Sequence, residues 1–140
     1  MSGEVRQLSL FKSRRQRGVV PPSPKEFAVH CALADTIRKS INRGWEWTHI
    51  GHGELRSPGA AARLKRMGLR PGFPDFIFVG PRHSVVWLEL KREGGRLSED
   101  QARIAKHLIA SGFPYLCTDS LKDAVATLCD LGVLRKMEIW

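Results

Sequence analysis

Three charged residues that could do chemistry lie beside two apolar segments. Asp75 directly precedes the run Phe76-Ile77-Phe78-Val79, and Glu89 and Lys91 stand inside the apolar stretch "VVWLELKREGG". A buried strand usually avoids such charges, because removing them from water is costly. Two carboxylates that converge beside a lysine can bind a hard divalent cation such as magnesium, which prefers oxygen ligands. The lysine can then orient or deprotonate a bound water.

The alternation of side chains along a strand predicts two different faces for this stretch. One face carries Val86, Leu88 and Leu90, and the other carries Val85, Trp87, Glu89 and Lys91. The first face is therefore core, and the second becomes polar at its C-terminal end. The alternative is an ordinary Glu89–Lys91 ion pair at the edge of the sheet. The carboxylate on the preceding strand favours a site instead.

Helix-start signals and strand patterns predict the elements that hold these residues. Ser23-Pro24-Lys25-Glu26 is typical of a helix start, with serine as the N-cap and glutamate three residues later. Further helices are expected from Ser57-Pro58 to Gly68, from Ser98 to Ala110 and over residues 120–131. Strands are expected at 45–50, 75–79, 84–91 and 115–118. This order predicts an α/β (α+β) fold with a mixed sheet flanked by helices, in one domain over residues 23–140.

Composition indicates a globular, nucleic-acid-binding protein. The 140 residues are 42% hydrophobic and carry 23 basic against 14 acidic side chains, a net charge of +9. Such a charge favours a polyanionic partner, although it does not separate DNA from RNA. No apolar run reaches the roughly 20 residues of a membrane span, and no signal peptide is evident, so a cytoplasmic protein is expected. The three cysteines, Cys31, Cys117 and Cys129, are odd in number and widely spaced, which suggests neither a disulfide framework nor a zinc site, and they are expected to be small core residues.

The first 22 residues have the composition of a flexible basic arm that ends in Val-Val-Pro-Pro. Its basic residues are Arg6, Lys12, Arg14, Arg15 and Arg17. Within it, Gln7-Leu8-Ser9-Leu10-Phe11 resembles the pentapeptide by which bacterial replication and repair proteins dock on the DNA polymerase sliding clamp. Alternatively, the apolar side chains pack on the chain's own domain or on a second subunit.

Pro74-Asp75 followed by Glu89-Leu90-Lys91 resembles the signature of the PD-(D/E)xK nuclease superfamily. The longer stretch "HGELRSPGAAARLKRMGLRPGFPDFIFV…WLELKREGGRLSEDQ" is similar to the virus-type replication-repair nuclease (VRR-NUC) family. Members of that family join a small-residue helix, a G-x-P-D strand, an E-x-K strand and an S-x-x-Q helix in this order. The similarity covers roughly residues 23 to 131 and implies a core like that of restriction endonucleases.

The resemblance implies a role for each matching residue. Asp75 and Glu89 would ligate Mg²⁺ or Mn²⁺, the backbone carbonyl of Leu90 would be a further ligand, and Lys91 would assist the attacking water. The family also uses a glutamate from the first helix, for which Glu26 is the candidate, and the family match favours an active-site role for Gln101. Each of the last two residues could instead serve only in a capping box.

Helical spacing predicts where these helix residues point. Glu26 and His30 fall within the apolar stripe of the first helix, so both should face the sheet, His30 either as a core residue or as part of the site. Gln101 shares a face with Ile104, Ala105 and Leu108 and should approach Lys91. His52 replaces an asparagine that is common in relatives, and catalysis is not assigned to it. His49 and His83 are expected on the surface.

A basic segment precedes Asp75 and contains no acidic residue between positions 56 and 70. Its basic residues are Arg56, Arg63, Lys65, Arg66 and Arg70. Contacts from these side chains to phosphates would give affinity that depends on salt and not on base sequence. The alternative is an ordinary solvated helix face.

These observations predict a Mg²⁺- or Mn²⁺-dependent endonuclease that cuts DNA in phage or bacterial replication, recombination or repair. With no base-reading motif in view, the expected substrate is branched DNA, such as Holliday junctions or flaps. Symmetric cutting of a junction would require two active sites and hence a homodimer. The alternatives are a non-catalytic nucleic-acid-binding module that keeps the nuclease fold and a nuclease that acts on RNA.

Overall fold

A computed structural model describes residues 24–51 and 57–136. The elements follow the predicted order. The helices are α1 (Pro24–Ser40), α2 (Pro58–Arg66), α3 (Glu99–Ala110) and α4 (Leu121–Asp130), and the strands are β1 (Glu46–His49), β2 (Phe76–Val79), β3 (Val85–Leu90) and β4 (Tyr115–Thr118). The strands β1 and β3 each end one residue earlier than the sequence indicated. The clamp-like motif lies outside the described residues.

The four strands form one mixed sheet in the order β1-β2-β3-β4. The β1–β2 and β2–β3 pairs are antiparallel, and β3 and β4 are parallel because α3 carries the chain back between them. A tight turn joins β2 to β3, with Arg82 and His83 both at positive φ, 56° and 62°. The prediction of an α+β fold with a mixed sheet is confirmed.

The main core lies between one face of the sheet and the helices α1 and α4. Phe76, Phe78 and Leu88 are fully buried there against Leu33 and Ile37 of α1. Burying side chains of this size contributes about 1.5–3 kcal/mol each before conformational entropy is counted. The predicted inward face of β3 is confirmed, since Val86, Leu88 and Leu90 all belong to this core.

Helix α3 packs on the other face of the sheet, the one that carries Glu89. Its buried residues are Ile104, Ala105 and Leu108. Helix α2 differs from the others, because none of its residues is buried. It therefore stands at the surface of the domain with its basic side chains exposed.

The cysteine prediction is wrong for one residue. Cys31 lies on the exposed side of α1, whereas Cys117 and Cys129 are partly buried, and all three are free thiols. The apolar neighbours of Cys31 in sequence misled the prediction, because on a helix adjacent residues point in different directions. No helix in the described part of the chain is both long and apolar enough to cross a membrane.

Candidate active site

The two carboxylates meet where β2 begins and β3 ends. Phe76 pairs with Leu88 across the antiparallel strands, so Asp75 and Glu89 are the next residues along. The Asp75 N–H donates to Glu89 Oε2 at 3.2 Å, and the Leu90 N–H donates to Asp75 Oδ2 at 2.9 Å. Each carboxylate therefore accepts a hydrogen bond from the backbone of the neighbouring strand. The predicted convergence follows from strand pairing alone.

Glu89 is almost completely buried, with 2% of its surface exposed, and its charge has two close partners. Lys91 Nζ lies 3.0 Å from Glu89 Oε1, and Gln101 Nε2 donates to the same oxygen at 2.9 Å. Buried charges are tolerated when they are paired and hydrogen-bonded. The pair is therefore no surface ion pair: Lys91 itself has a side chain only 17% exposed.

Gln101 serves the helix cap and the charged cluster at once. Its Oε1 accepts from the Ser98 N–H at 2.9 Å and from Lys91 Nζ at 2.7 Å, and its own N–H donates to Ser98 Oγ at 3.2 Å. The sequence offered the capping box and the position beside Lys91 as alternatives. The structure shows both, because one amide oxygen can accept two hydrogen bonds.

Burial perturbs both carboxyl groups. It raises the pKa of Glu89 to about 7, with repulsion from Asp75 acting in the same direction and Lys91 opposing both. Burial also raises the pKa of Asp75, against the hydrogen bond from the Leu90 N–H and the charge of Lys91. The buried Glu89 and the partly buried Asp75 both resist ionisation, and a bound cation would stabilise their charged forms.

The donor atoms here suit a divalent cation. Asp75, Glu89 and the carbonyl of Leu90 are oxygen donors, and magnesium is commonly held by one or two carboxylates with water and substrate phosphate completing its shell. When bound, such a cation would lower the pKa of a bound water and neutralise charge on the phosphate. Within residues 24–51 and 57–136, no group of three His, Cys, Asp or Glu side chains is spaced to hold a metal.

Glu26 lies near this cluster, on the first turn of α1. It lines a cleft of about 250 Å³ together with Leu90 and Lys91. The charge of Glu26 also raises the pKa of Asp75, and burial has the larger effect. The structure therefore brings Glu26 to the edge of the cluster, and its role as a ligand stays a prediction.

Two histidines adjoin the site, one of which sequence reasoning missed. His30 faces the sheet as predicted and stacks on Phe76, with ring centroids 4.6 Å apart. Burial lowers the pKa of His30 to about 4, with a further contribution from His49. His49 is exposed as predicted, yet its Nδ1 lies 2.8 Å from the carbonyl oxygen of Asp75. No local pattern marks that contact, which arises only when β1 pairs with β2.

The basic segment is only partly described. Arg63, Lys65 and Arg66 are exposed on α2, and Arg70 is exposed in the loop that follows. Ser57 caps α2 as expected, since its Oγ accepts from the Ala60 N–H at 3.3 Å. Arg56 and His52 lie outside the described residues. The described basic side chains lie on the surface, where they can reach phosphates.

The mixed sheet brings the carboxylate of the P-D pair next to the E-x-K strand, and a glutamine from a helix lies beside both. This arrangement defines a nuclease-like domain of the PD-(D/E)xK type. The sequence model of the VRR-NUC domain matches residues 28–120, and the chain belongs to this family. The match includes Asp75, Glu89, Lys91 and Gln101 and begins two residues after Glu26. Membership of the family implies a nuclease.

Solved structures share the fold. A VRR_NUC domain protein has a TM-score of 0.61 and 20% sequence identity, with 81% of this chain and 98% of that chain covered. A second structure, a VRR_NUC domain, has a TM-score of 0.53 and 19% identity, with 77% and 97% covered. No curated protein matches the chain.

Proposed function

We propose that this chain is a divalent-metal-dependent endonuclease that hydrolyses phosphodiester bonds in DNA, with Mg²⁺ or Mn²⁺ as its cofactor. The observation that carries the proposal is the convergence of the partly buried Asp75 and the buried Glu89, each hydrogen-bonded to the other's strand, with Lys91 3.0 Å from Glu89. A protein that only bound nucleic acid would gain nothing from buried carboxylates close to phosphate. Asp75, Glu89 and the Leu90 carbonyl would hold the cation.

Lys91 is the proposed group that orients the attacking water and stabilises the negative charge on the phosphate. Its Nζ is held by Glu89 Oε1 and Gln101 Oε1, so the ammonium group is fixed before substrate arrives. A preorganised charge needs no reorganisation during the reaction, which makes it effective in stabilising a transition state. Gln101 contributes by fixing both Lys91 and Glu89.

Helix α2 is the proposed contact for the DNA backbone. Its exposed Arg63, Lys65 and Arg66 are joined by Arg70, which stands in the segment leading to Asp75. Because phosphate contacts position a duplex without reading its sequence, selectivity would come from the shape of the DNA. Branched substrates such as junctions and flaps, cut by a homodimer in the case of a junction, are the proposed targets in phage or bacterial replication, recombination or repair.

Cleavage of labelled junction, flap, single-stranded and duplex DNA tests this function. Each substrate is incubated with Mg²⁺, Mn²⁺ or EDTA and with wild type, Asp75→Ala, Lys91→Ala or the control Lys122→Ala, an exposed lysine of α4. We expect metal-dependent cutting that both site variants lose and the control keeps.

Two outcomes would replace the proposal. Equal DNA binding by all proteins with no cutting by any would identify a non-catalytic binding module. Preferential cutting of matched branched RNA would identify an RNA nuclease.

The arm is proposed to recruit the nuclease to replicating DNA through a bacterial sliding clamp. The support is the sequence Gln7-Leu8-Ser9-Leu10-Phe11 alone. In a pull-down with purified clamp, the double variant Leu10→Ala, Phe11→Ala should lose binding, while Lys12→Ala should keep it. Retention of the clamp by the double variant would remove this part of the proposal.

A further inference from the structure

The carbonyl of Asp75 is held through two hydrogen bonds by the end of β1 and the residue that follows it. The Ile50 N–H donates to it at 2.6 Å, and His49 Nδ1 lies 2.8 Å from it. The Asp75 N–H meanwhile donates to Glu89 Oε2 on the other side. The peptide units that flank the Asp75 side chain are therefore tied on both sides, by the backbone of Ile50 and by the side chains of His49 and Glu89.

The tautomer of His49 follows from its partner. A carbonyl oxygen can only accept, so Nδ1 of His49 must carry the proton. In the neutral ring, Nε2 is then unprotonated. An exposed imidazole without such a contact has nothing that favours the Nδ1–H tautomer. This tautomer is therefore a signature of the contact with Asp75.

His30 supports the ring of His49 from α1. The two imidazoles meet edge to face, with centroids 4.4 Å apart, and His30 in turn stacks on Phe76. His49 pairs with Phe76, and Phe76 pairs with Leu88, so these three side chains form a row on the core face of the sheet. Glu89, the next residue after Leu88, faces the opposite side. His49 therefore reaches the carboxylates through the backbone of Asp75.

We propose that His49 is a positioning residue for the nuclease reaction. Its Nδ1–H fixes the Asp75 peptide so that the carboxylate stays beside Glu89, and the ring of His30 keeps His49 in the required rotamer. The inference rests on the function proposed above. The Ile50 bond is formed by backbone and survives any substitution at position 49, so only the side-chain tie is lost when His49 is changed.

Isosteric variants separate positioning from substrate contact. In His49→Asn the amide nitrogen occupies the position of Nδ1 of the histidine ring. In His49→Gln the amide nitrogen occupies the position of Nε2. We expect His49→Ala to lower kcat roughly 10- to 100-fold, as loss of a group that orients a metal ligand typically does, with KM little changed. His49→Asn should restore most of the rate and His49→Gln should not. Unfolding temperatures should be similar, since an exposed hydrogen bond to a carbonyl that keeps its backbone partner adds little stability.

Two measurements do not depend on cleavage. In metal-free protein labelled with ¹⁵N-histidine at pH 8.5, the resonances that disappear in His49→Ala should show a protonated Nδ1 and an unprotonated Nε2. By calorimetry, Mn²⁺ should bind His49→Ala more weakly than wild type, and His49→Asn should recover the affinity.

Each contrary result is decisive. An Nε2–H tautomer, unchanged Mn²⁺ affinity in His49→Ala, or rescue of cleavage by glutamine in place of asparagine would overturn the positioning role. If wild type cut no nucleic acid, the proposed function would fail, and the tautomer would still decide whether His49 holds Asp75.

Discussion

Gln101 Nε2 donates a hydrogen bond to Glu89 Oε1 over 2.9 Å, which joins the first turn of α3 to the buried carboxylate of β3. The Oε1 of the same amide accepts from Lys91 Nζ and from the Ser98 N–H. The start of the helix and the position of the two charged groups are therefore set together. A change that disturbs only the cap can be distinguished from one that disturbs the site.

Ser98→Ala and Gln101→Ala should both lower stability, and only Gln101→Ala should lower cleavage. Loss of the Ser98 hydroxyl removes the cap, and such losses destabilise by about 0.5–2 kcal/mol. Only Gln101→Ala also releases Lys91 and Glu89, so it alone should lower kcat, by roughly 10- to 100-fold. Urea unfolding and cleavage rates measured on both variants test this. Equal cleavage by the two would show that Gln101 acts only as a cap.

The metal-free protein should become less stable relative to Glu89→Gln as pH rises. Burial raises the pKa of Glu89 from 4.5 to about 7 in the folded state. The contribution of Glu89 to the free energy of unfolding is therefore fully present below pH 4.5 and is lost as the pH rises through 7. Wild type should therefore lose stability relative to Glu89→Gln between pH 5 and pH 8.

Urea unfolding in EDTA at pH 5 and pH 8 gives the comparison, with Glu93→Gln as a control because the Glu93 side chain is 85% exposed. We expect the difference between wild type and Glu89→Gln to change with pH and the difference between wild type and Glu93→Gln to stay constant. A constant difference for Glu89→Gln as well would mean that Glu89 ionises normally in the folded protein.

The pairing of the carboxylates was predictable because it depends on local rules. A strand that starts at Asp75 and a strand that ends near Lys91, joined by a short turn, can only be antiparallel neighbours. Alternation then places Glu89 away from the core residues Leu88 and Leu90. The helix caps at Ser57 and Ser98 followed from equally local signals.

The contacts made by His49 could not be predicted, because they depend on where distant elements meet. Its ring meets His30 of α1 and the carbonyl of Asp75, residues that lie 19 and 26 positions away in sequence. The exposed position of Cys31 was missed for a different reason. The helical spacing that places Glu26 and His30 toward the sheet leaves Cys31 outside the apolar stripe of α1, and only its apolar neighbours in sequence were considered.

Substitutions on α2 should change the salt dependence of DNA binding without changing the fold. None of the α2 residues is buried, so Arg63→Ala with Arg66→Ala removes charge and little packing. Removal of one side chain that binds a phosphate should reduce the slope of log K against log salt by about 0.9 for duplex DNA. Titrations in EDTA, with Lys122→Ala as the matched control, measure the slope. Identical slopes for the double variant and wild type would exclude α2 from the DNA interface.

Gly72 should be required for the position of Asp75. It has a φ of 105°, and a Cβ built on it would lie 2.5 Å from the carbonyl oxygen of Asp100 in the first turn of α3. Gly68 is a matched control, because it has the same φ of 105° and no atom within 4 Å of its Cβ position. Both alanine variants should lose about 1–3 kcal/mol of stability through backbone strain.

Only Gly72→Ala must also push the segment before Asp75 away from α3, so its stability loss should exceed that of Gly68→Ala. Because the shifted segment carries Asp75, cleavage should fall in Gly72→Ala at temperatures where both variants are fully folded. Unfolding curves and cleavage rates, measured side by side, test the two expectations separately. If Gly68→Ala lost as much activity as Gly72→Ala, backbone strain alone would explain the effect, and the close approach of Gly72 to Asp100 would have no part in placing Asp75.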